Sequence, residues 1–323
     1  MVEDIQEGGG EMIEVQDLTK HYGDVVALSG VSFSVEQGEI LGFLGPNGAG
    51  KTTTMRILTG FIPPTSGRAR VAGFDISEAP LEVKKRIGYM PENVPLYGDM
   101  GVERYLLFVA ELKGVSRSKR RSHIGEIMER CGIREVARRP IGKLSKGYRQ
   151  RVGIAQALVG DPEVLILDEP TIGLDPKQIV EIREMIKSFG GEKTVLLSTH
   201  ILPEVSVTCD RVVIINQGKV LAQDTPESLA ARLRGAMKLI LQAEGPEGEI
   251  MEALRDVKGV REVRKSKDLG GQRAEYLIEA KEDVRREVAR AVVEKGWGLF
   301  ELRPDTAMLE EVFVQLVTEE EGA

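Results

Sequence analysis

Residues 45–53 read Gly45-Pro46-Asn47-Gly48-Ala49-Gly50-Lys51-Thr52-Thr53: one glycine, four spacers, then Gly-Lys-Thr. That spacing suits a phosphate chain. Glycines let backbone N–H groups approach the phosphate oxygens, and a helix that follows adds the positive end of its dipole. Lys51 would reach the β and γ phosphates, and the Thr52 hydroxyl would ligate Mg²⁺. The flanks agree. The apolar run Ile40–Leu44 reads as a buried strand, and Thr53–Leu58, closed by Gly60, reads as the helix after the loop. A glycine-rich turn packed between strand and helix is the bland alternative, and Lys51-Thr52 argues against it. These residues imply binding of a nucleoside triphosphate.

Two further runs end in polar residues that could act on such a ligand. Val164–Leu167 is continuously apolar, as in a strand buried on both faces, and it ends in Asp168-Glu169. Ligands bind at the carboxyl ends of strands in parallel α/β sheets. Asp168 would therefore sit near the magnesium, and Glu169 could accept a proton from an attacking water. Thr194–Ser198 reads as a second buried strand, ending in Ser198-Thr199-His200, which places His200 at the same sheet edge. Ser145 is a plausible N-cap of a helix whose Val152, Ala155, Leu158 and Val159 share one face.

The elements that must position these residues follow from periodicity. Strands are expected at Met12–Leu18, Ala27–Val35, Glu39–Leu44 and Arg68–Ala72, with turns at 22–24 and 37–38. Residues 102–160 read as mainly helical, broken near Gly114, Gly132 and Pro140. Val164–Leu167, Pro176–Ser188, Thr194–Ser198, Pro203–Cys209 and Arg211–Ile215 then alternate strand with helix, which implies a largely parallel sheet faced by helices. Thr225-Pro226 opens a helix to Arg234. Residues 237–304 carry a β-α-β-β-α-β order, which is ferredoxin-like, and an amphipathic helix is expected at Met308–Val317. That second region has no His or Cys cluster and no glycine-rich loop, so it reads as a regulatory or dimerisation module. The expected division is a disordered tail at 1–11, a nucleotide-binding domain at 12–234 and the module at 237–323.

Composition excludes several classes. A chain of 323 residues suggests two domains. Its 41% apolar and 29% charged residues are ordinary for a globular protein. A net charge of −7 argues against nucleic acid or an anionic membrane surface as a direct partner. Cys131 and Cys209 lack any metal-ligand spacing and read as reduced, packed thiols. No apolar run approaches the roughly 20 residues of a membrane-spanning helix. The acidic N-terminus has no apolar signal core.

Leu144-Ser145-Lys146-Gly147-Tyr148, together with the loop at 45–53, Asp168-Glu169 and His200, resembles the motif set of ATP-binding cassette (ABC) proteins. Their signature is usually written LSGGQ, from which Lys146 and Tyr148 depart. The resemblance covers residues 12–234, in motif order, and is to the ATP-binding subunit of an ABC transporter. It implies an α/β P-loop nucleotidase-type sheet with a small antiparallel β subdomain and a helical subdomain at about 92–160. By the same resemblance Tyr22 stacks on adenine, Gly45–Thr53 hold the phosphates, and Thr52 and Asp168 hold Mg²⁺. Glu169 is the base, His200 the switch histidine, and Gly173-Leu174-Asp175 the loop that crosses a dimer interface. Ser145 and Gly147 would cap the γ-phosphate held by the opposite subunit. One departure matters: Glu92 stands where most members carry glutamine. A carboxylate can still serve Mg²⁺.

The C-terminal module resembles the extension on exporter ATPases whose permease is a separate chain. The resemblance therefore implies ATP and Mg²⁺ as ligands, a second copy of the chain and membrane permease subunits as partners, and no nucleic acid. It places the chain at the cytoplasmic membrane face, attached through the permease. A soluble, non-transport ABC ATPase acting on a macromolecular assembly is the competing reading. Ribosome-acting members generally carry two cassettes and DNA-end members a long coiled coil, and this chain has neither. A non-hydrolysing role is disfavoured by Glu169 and His200. The transported substrate is not legible, because its recognition would lie in the permease.

Overall fold

Five strands whose side chains are almost wholly buried set the frame of the first unit. The computed structural model describes residues 10–226, 228–229, 237–281 and 283–304. Contacts divide the chain into Met1–Pro226 and Glu227–Ala323. In the first unit, β1 (Glu11–Tyr22), β2 (Val25–Glu36), β4 (Ser66–Val71) and β5 (Phe74–Asp75) form an antiparallel sheet in the order β2-β1-β4-β5. A six-stranded sheet takes β3 (Ile40–Leu44), β6 (Ile87–Met90), β7 (Val164–Asp168), β8 (Thr194–Thr199), β9 (Arg211–Asn216) and β10 (Lys219–Asp224). Its order is β10-β9-β3-β8-β7-β6, parallel throughout except for β10 at the edge. Every residue of β3, β7 and β8 is buried, which is why their sequences are continuous apolar runs rather than alternations.

One apolar cluster joins the two sheets. Ile13, Val15 and Phe33 of the antiparallel sheet meet Leu41 and Phe43 of β3 and Met55 and Ile57 of α1 (Lys51–Leu58). Phe33 and Phe43 pack as a tilted pair with ring centroids 5.1 Å apart. The helix carrying Lys51 is thus clamped on its apolar face, and its N-terminus is left at the carboxyl end of β3. Register does the rest: Leu44 pairs with Thr199, and Asp168 pairs with Ser198. The ends of β3, β7 and β8 arrive together, carrying the residues that sequence had singled out.

The remaining helices are α2 (Pro80–Arg86), α3 (Val102–Leu112), α4 (Arg120–Arg130), α5 (Lys146–Leu158), α6 (Pro176–Lys187) and α7 (Leu202–Thr208). Two glycines fix how closely helices approach the sheet. A Cβ on Gly88 would lie 2.0 Å from the Ala157 carbonyl oxygen, so β6 can abut the end of α5 only with glycine there. A Cβ on Gly42 would lie 2.7 Å from Val205 Cγ1, which seats α7 directly on β3.

The second unit runs β11 (Met237–Glu244), α8 (Glu247–Arg255), β12 (Val260–Gly270), β13 (Arg273–Ala280), α9 (Arg285–Glu294) and β14 (Gly298–Pro304). Its sheet is antiparallel in the order β12-β13-β11-β14. Leu239, Leu241, Tyr276 and Ile278 pack against Ile250 and Leu254 of α8 and Val288 and Val292 of α9.

Several elements differ from expectation. The first strand begins at Glu11, inside the stretch read as a tail, while residues 1–9 of that stretch lie outside the described residues. It also runs on to Tyr22, because Asp17 at φ 49° makes a bulge that restores inward alternation at Leu18. Sequence reading missed α2, β6 and β10: α2 and β6 are too short to show a period, and β10, an edge strand reading KVLAQD, is only half-buried and carries no continuous apolar run. The helix expected at 308–317, and the one at 225–234 beyond residue 229, lie outside the described residues. Cys131 and Cys209 are free and buried, and burial pushes the Cys131 thiol up to about 12. Among the described residues no helix is long and apolar enough to cross a membrane.

Candidate active site

The loop from Gly45 to Gly50 leaves β3 and turns into α1 through two residues in left-handed conformation, Gly48 (φ 84°) and Gly50 (φ 107°). A side chain at either would be strained, and at Gly45 a Cβ would lie 2.3 Å from the Ile215 carbonyl. The loop bounds a cavity of about 310 Å³ lined by Pro46, Asn47, Gly48, Gly50, Lys51, Thr52 and Thr53, with Glu92, Glu169 and Ile172 across from them. Lys51 is only 6% exposed. Its Nζ donates to the carbonyls of Gly45 at 2.7 Å and Pro46 at 3.1 Å and lies 3.3 Å from Glu169 Oε1.

Glu169 is the hub of the site. Its backbone sits at φ 49°, and its N–H donates to Ser198, which holds it one residue beyond the sheet ladder. The other carboxylate oxygen, Oε2, lies 2.8 Å from Nδ1 of His200. One buried carboxylate therefore bridges the phosphate-loop lysine and the histidine that follows β8. Asp168 is fully buried beside it: Oδ1 accepts from the Ser198 hydroxyl, and Oδ2 has no hydrogen-bond partner among the described residues. An orphaned buried carboxylate oxygen is costly unless a cation or donor meets it. The donor set of Asp168, with Thr52 and Glu92 in the cavity wall, suits a hard divalent ion.

Other expected site residues lie apart. Tyr22 is 45% exposed at the end of the β1–β2 hairpin, with Lys20 Nζ 5.3 Å from its ring, and it does not line the phosphate-loop cavity. Ser145 caps α5, accepting from Tyr148 N–H at 3.4 Å. Gly147 is packed under the Gln178 side chain of α6, where a Cβ would come within 2.7 Å. Neither residue lines the cavity at Lys51. Asp175 caps α6 by accepting from Gln178 N–H at 2.9 Å. Glu92 and Ile172 also line a second cavity of about 490 Å³, which Lys146, Arg149 and Gln150 of α5 complete.

Two residues near the site were not singled out from sequence. Ser198 holds both Asp168 and Glu169; a serine directly closing the apolar run Val195–Leu197 was the available signal. Glu204 is 2% exposed and accepts from the hydroxyls of Thr171 and Thr199 at 2.8 and 2.9 Å. Nothing in its spacing distinguished it from a surface carboxylate in the first turn of a helix.

Comparison with known proteins gives a consistent result. The family described as ABC transporter matches residues 28–172. The linearmycin resistance ATP-binding protein of Bacillus subtilis is 34% identical over 253 residues, covering 78% of this chain and 81% of that protein. The bacitracin transport ATP-binding protein of Bacillus licheniformis is 39% identical over 248 residues, 76% of this chain and 80% of that one. A daunorubicin resistance ATP-binding protein of Streptomyces coeruleorubidus aligns at 33% identity over 94% of this chain and 95% of its own length. Among solved structures, an ATP-binding subunit of an ABC transporter superposes with a TM-score of 0.63 at 30% identity, covering 68% of this chain and 92% of that chain. A dimeric bacterial ABC transporter cassette gives 0.61 at 26% identity over 67% of this chain and 99% of its own.

Proposed function

This chain belongs to the ATP-binding, ATP-hydrolysing subunits of ABC transporters, and we propose that it powers export through a separate permease as two copies closed around two ATP molecules. The observation that carries this reading is Glu169, bridging Lys51 and His200 at the rim of the phosphate-loop cavity. The loop N–H groups and Lys51 bind the phosphate chain. Glu169 takes a proton from the attacking water, and His200, hydrogen-bonded to its far oxygen, holds the carboxylate in line. Hydrolysis yields ADP and phosphate. Asp168 Oδ2, Thr52 and Glu92 would hold Mg²⁺, which when bound neutralises charge developing on the phosphates.

Each chain carries one phosphate loop and one signature. Ser145 and Gly147 lie outside their own chain's phosphate-loop cavity, which supports a site completed by the signature of a second copy. Closing on ATP and reopening after hydrolysis would then move the permease. The second unit's strand order supports reading it as a ferredoxin-like module that stabilises or tunes the pair. The daunorubicin resistance relative, aligned over 94% of this chain, includes that region.

The chain would dock peripherally on the permease, at the cytoplasmic membrane face. An apolar cleft of about 950 Å³ offers the surface, walled by Phe61, Leu81, Tyr97, Phe108 and Leu112 with Tyr105 at its floor. Tyr97 is 54% and Phe108 37% exposed, and their rings lie 5.9 Å apart. Buried aromatic anchors are commonly worth about 2 kcal/mol or more in an interface. Tyr97→Glu and Phe108→Glu should each weaken co-purification with the cognate permease by at least about tenfold while leaving basal ATPase activity intact. Unchanged co-purification with both variants would remove this docking surface.

Nucleotide titrations test the peripheral assignments. With Tyr22 stacked on adenine, Tyr22→Ala should weaken ATP by about 1–3 kcal/mol and Tyr22→Phe should not. Glu92→Ala should raise the Mg²⁺ requirement, whereas Glu92→Gln keeps an oxygen ligand. Equal affinities across the Tyr22 series leave it as a surface aromatic, and an unmoved Mg²⁺ titration takes Glu92 off the metal.

A further inference from the structure

Glu204 is a buried carboxylate that the hydrolytic scheme above does not use. It sits in the first turn of α7, which Gly42 lets pack directly on β3. Its Oε2 accepts two hydroxyl hydrogen bonds, from Thr171 at 2.8 Å and Thr199 at 2.9 Å. Its Oε1 is buried with no hydrogen-bond partner among the described residues. The packing of α7 on β3 gains nothing from such a group. Leaving one carboxylate oxygen unpaired in a dry site costs free energy, so the position is unfavourable for packing alone.

What the two threonines carry makes the arrangement meaningful. Thr171 lies two residues after Glu169 and opens the turn Ile172-Gly173-Leu174 that leads to Asp175 and α6. Ile172 lines both the phosphate-loop cavity and its neighbour. Thr199 immediately precedes His200, and its backbone carbonyl accepts from the N–H of Gly45, the first residue of the phosphate loop, at 3.3 Å. Its hydroxyl oxygen also accepts from Ile201 N–H at 3.1 Å, which fixes the chain on the far side of His200. One carboxylate thus ties together the segments that bear the base, the histidine and the start of the loop.

We propose that Glu204 is a positioning residue for hydrolysis, bracing the Thr171 and Thr199 hydroxyls so that Glu169 and His200 keep their 2.8 Å contact when ATP is bound. Glu204 does not line the phosphate-loop cavity. The brace acts on the geometry of the base rather than on affinity for nucleotide. A hydrogen-bonded brace of this kind is worth a factor of about ten in rate if a single net hydrogen bond's free energy is lost from the aligned state. The inference rests on the reading of Glu169 as the base.

Steady-state kinetics on the full chain, with ATP affinity measured separately by equilibrium binding, test it. Glu204→Ala should lower kcat about tenfold and leave the ATP dissociation constant within about threefold. Combined with His200→Ala, it should cost little more than His200→Ala alone, because both act through the same contact. Glu204→Gln should recover part of the rate, since its carbonyl oxygen can accept both hydroxyls. Should Glu204→Ala not fold, Thr171→Val, which removes one donor while keeping the shape, carries the same expectation. Wild-type kcat in these variants, or losses that add fully to that of His200→Ala, would overturn the proposal. Parallel losses of kcat and ATP binding would make Glu204 a structural residue and overturn it equally. A Glu169→Gln chain with normal turnover would instead remove the underlying reading of the base.

Discussion

Glu169→Gln should bind ATP with near wild-type affinity and turn it over roughly 10²–10⁴-fold more slowly, the usual span for losing a general base. The substitution is close to isosteric, so the pocket should survive it. The glutamine carbonyl can accept from Lys51 as Oε1 does now, and its amide can face Nδ1 of His200 in place of Oε2. What it cannot do is take a proton from water. The loss should therefore fall on kcat and spare nucleotide binding, a separation that equilibrium binding and steady-state turnover read independently. Near-normal turnover would place the base elsewhere.

Lys51→Ala should have the second large effect, on binding and on stability together. In the folded chain Lys51 and Glu169 are each about 6% exposed by side chain and lie 3.3 Å apart. Removing one partner of such a pair leaves the other charge buried, a change that costs about 3–5 kcal/mol in measured cases. His200 lies at 2.8 Å on the other side of Glu169 and offsets part of that loss. ATP affinity should fall by about 1.5–3 kcal/mol for each charge-assisted contact Lys51 makes to the phosphates. Lys51→Arg should not restore it: the planar guanidinium cannot repeat the point-like donation to the Gly45 and Pro46 carbonyls inside the loop. Calorimetric unfolding and nucleotide titration check the two halves. A Lys51→Ala chain that unfolds at the wild-type temperature and binds ATP normally would mean that neither contact matters.

The parts of this fold that sequence made legible are those whose burial leaves a mark on residue type. Strands β3, β7 and β8 are buried on both faces, and their unbroken apolar runs announced them. The polar residues closing the runs of β7 and β8 were then conspicuous, and with the glycine-rich loop after β3 they let Lys51, Asp168, Glu169 and His200 be read as lying at one sheet edge. Their contacts through Glu169 depend on strand register, and no single strand encodes its register against another. The four-residue β6 was missed for want of length, and the half-buried edge strand β10 for want of an apolar run. Ser198 and Glu204 were missed for a different reason. Their importance comes from which hydroxyls and carboxylates fall opposite them once β7, β8 and α7 are assembled. The separation of Ser145 and Gly147 from the phosphate-loop cavity was likewise expected only from the family resemblance. In the structure it follows from α5 being capped and packed against α6 through Gln178.

On the proposed function, a complete site needs a second copy of this chain. Light scattering coupled to size-exclusion chromatography, on the Glu169→Gln chain with and without Mg²⁺ and ATP, tests it most directly. The hydrolysis-arrested chain should run at twice the chain mass with ATP and at a smaller fraction of dimer without it. Adding Ser145→Arg, which places a bulky cation where the second copy's γ-phosphate should lie, should abolish the ATP-dependent increase. An arrested chain that binds ATP yet shows the same mass with and without it, or a dimer indifferent to Ser145→Arg, would contradict the shared site.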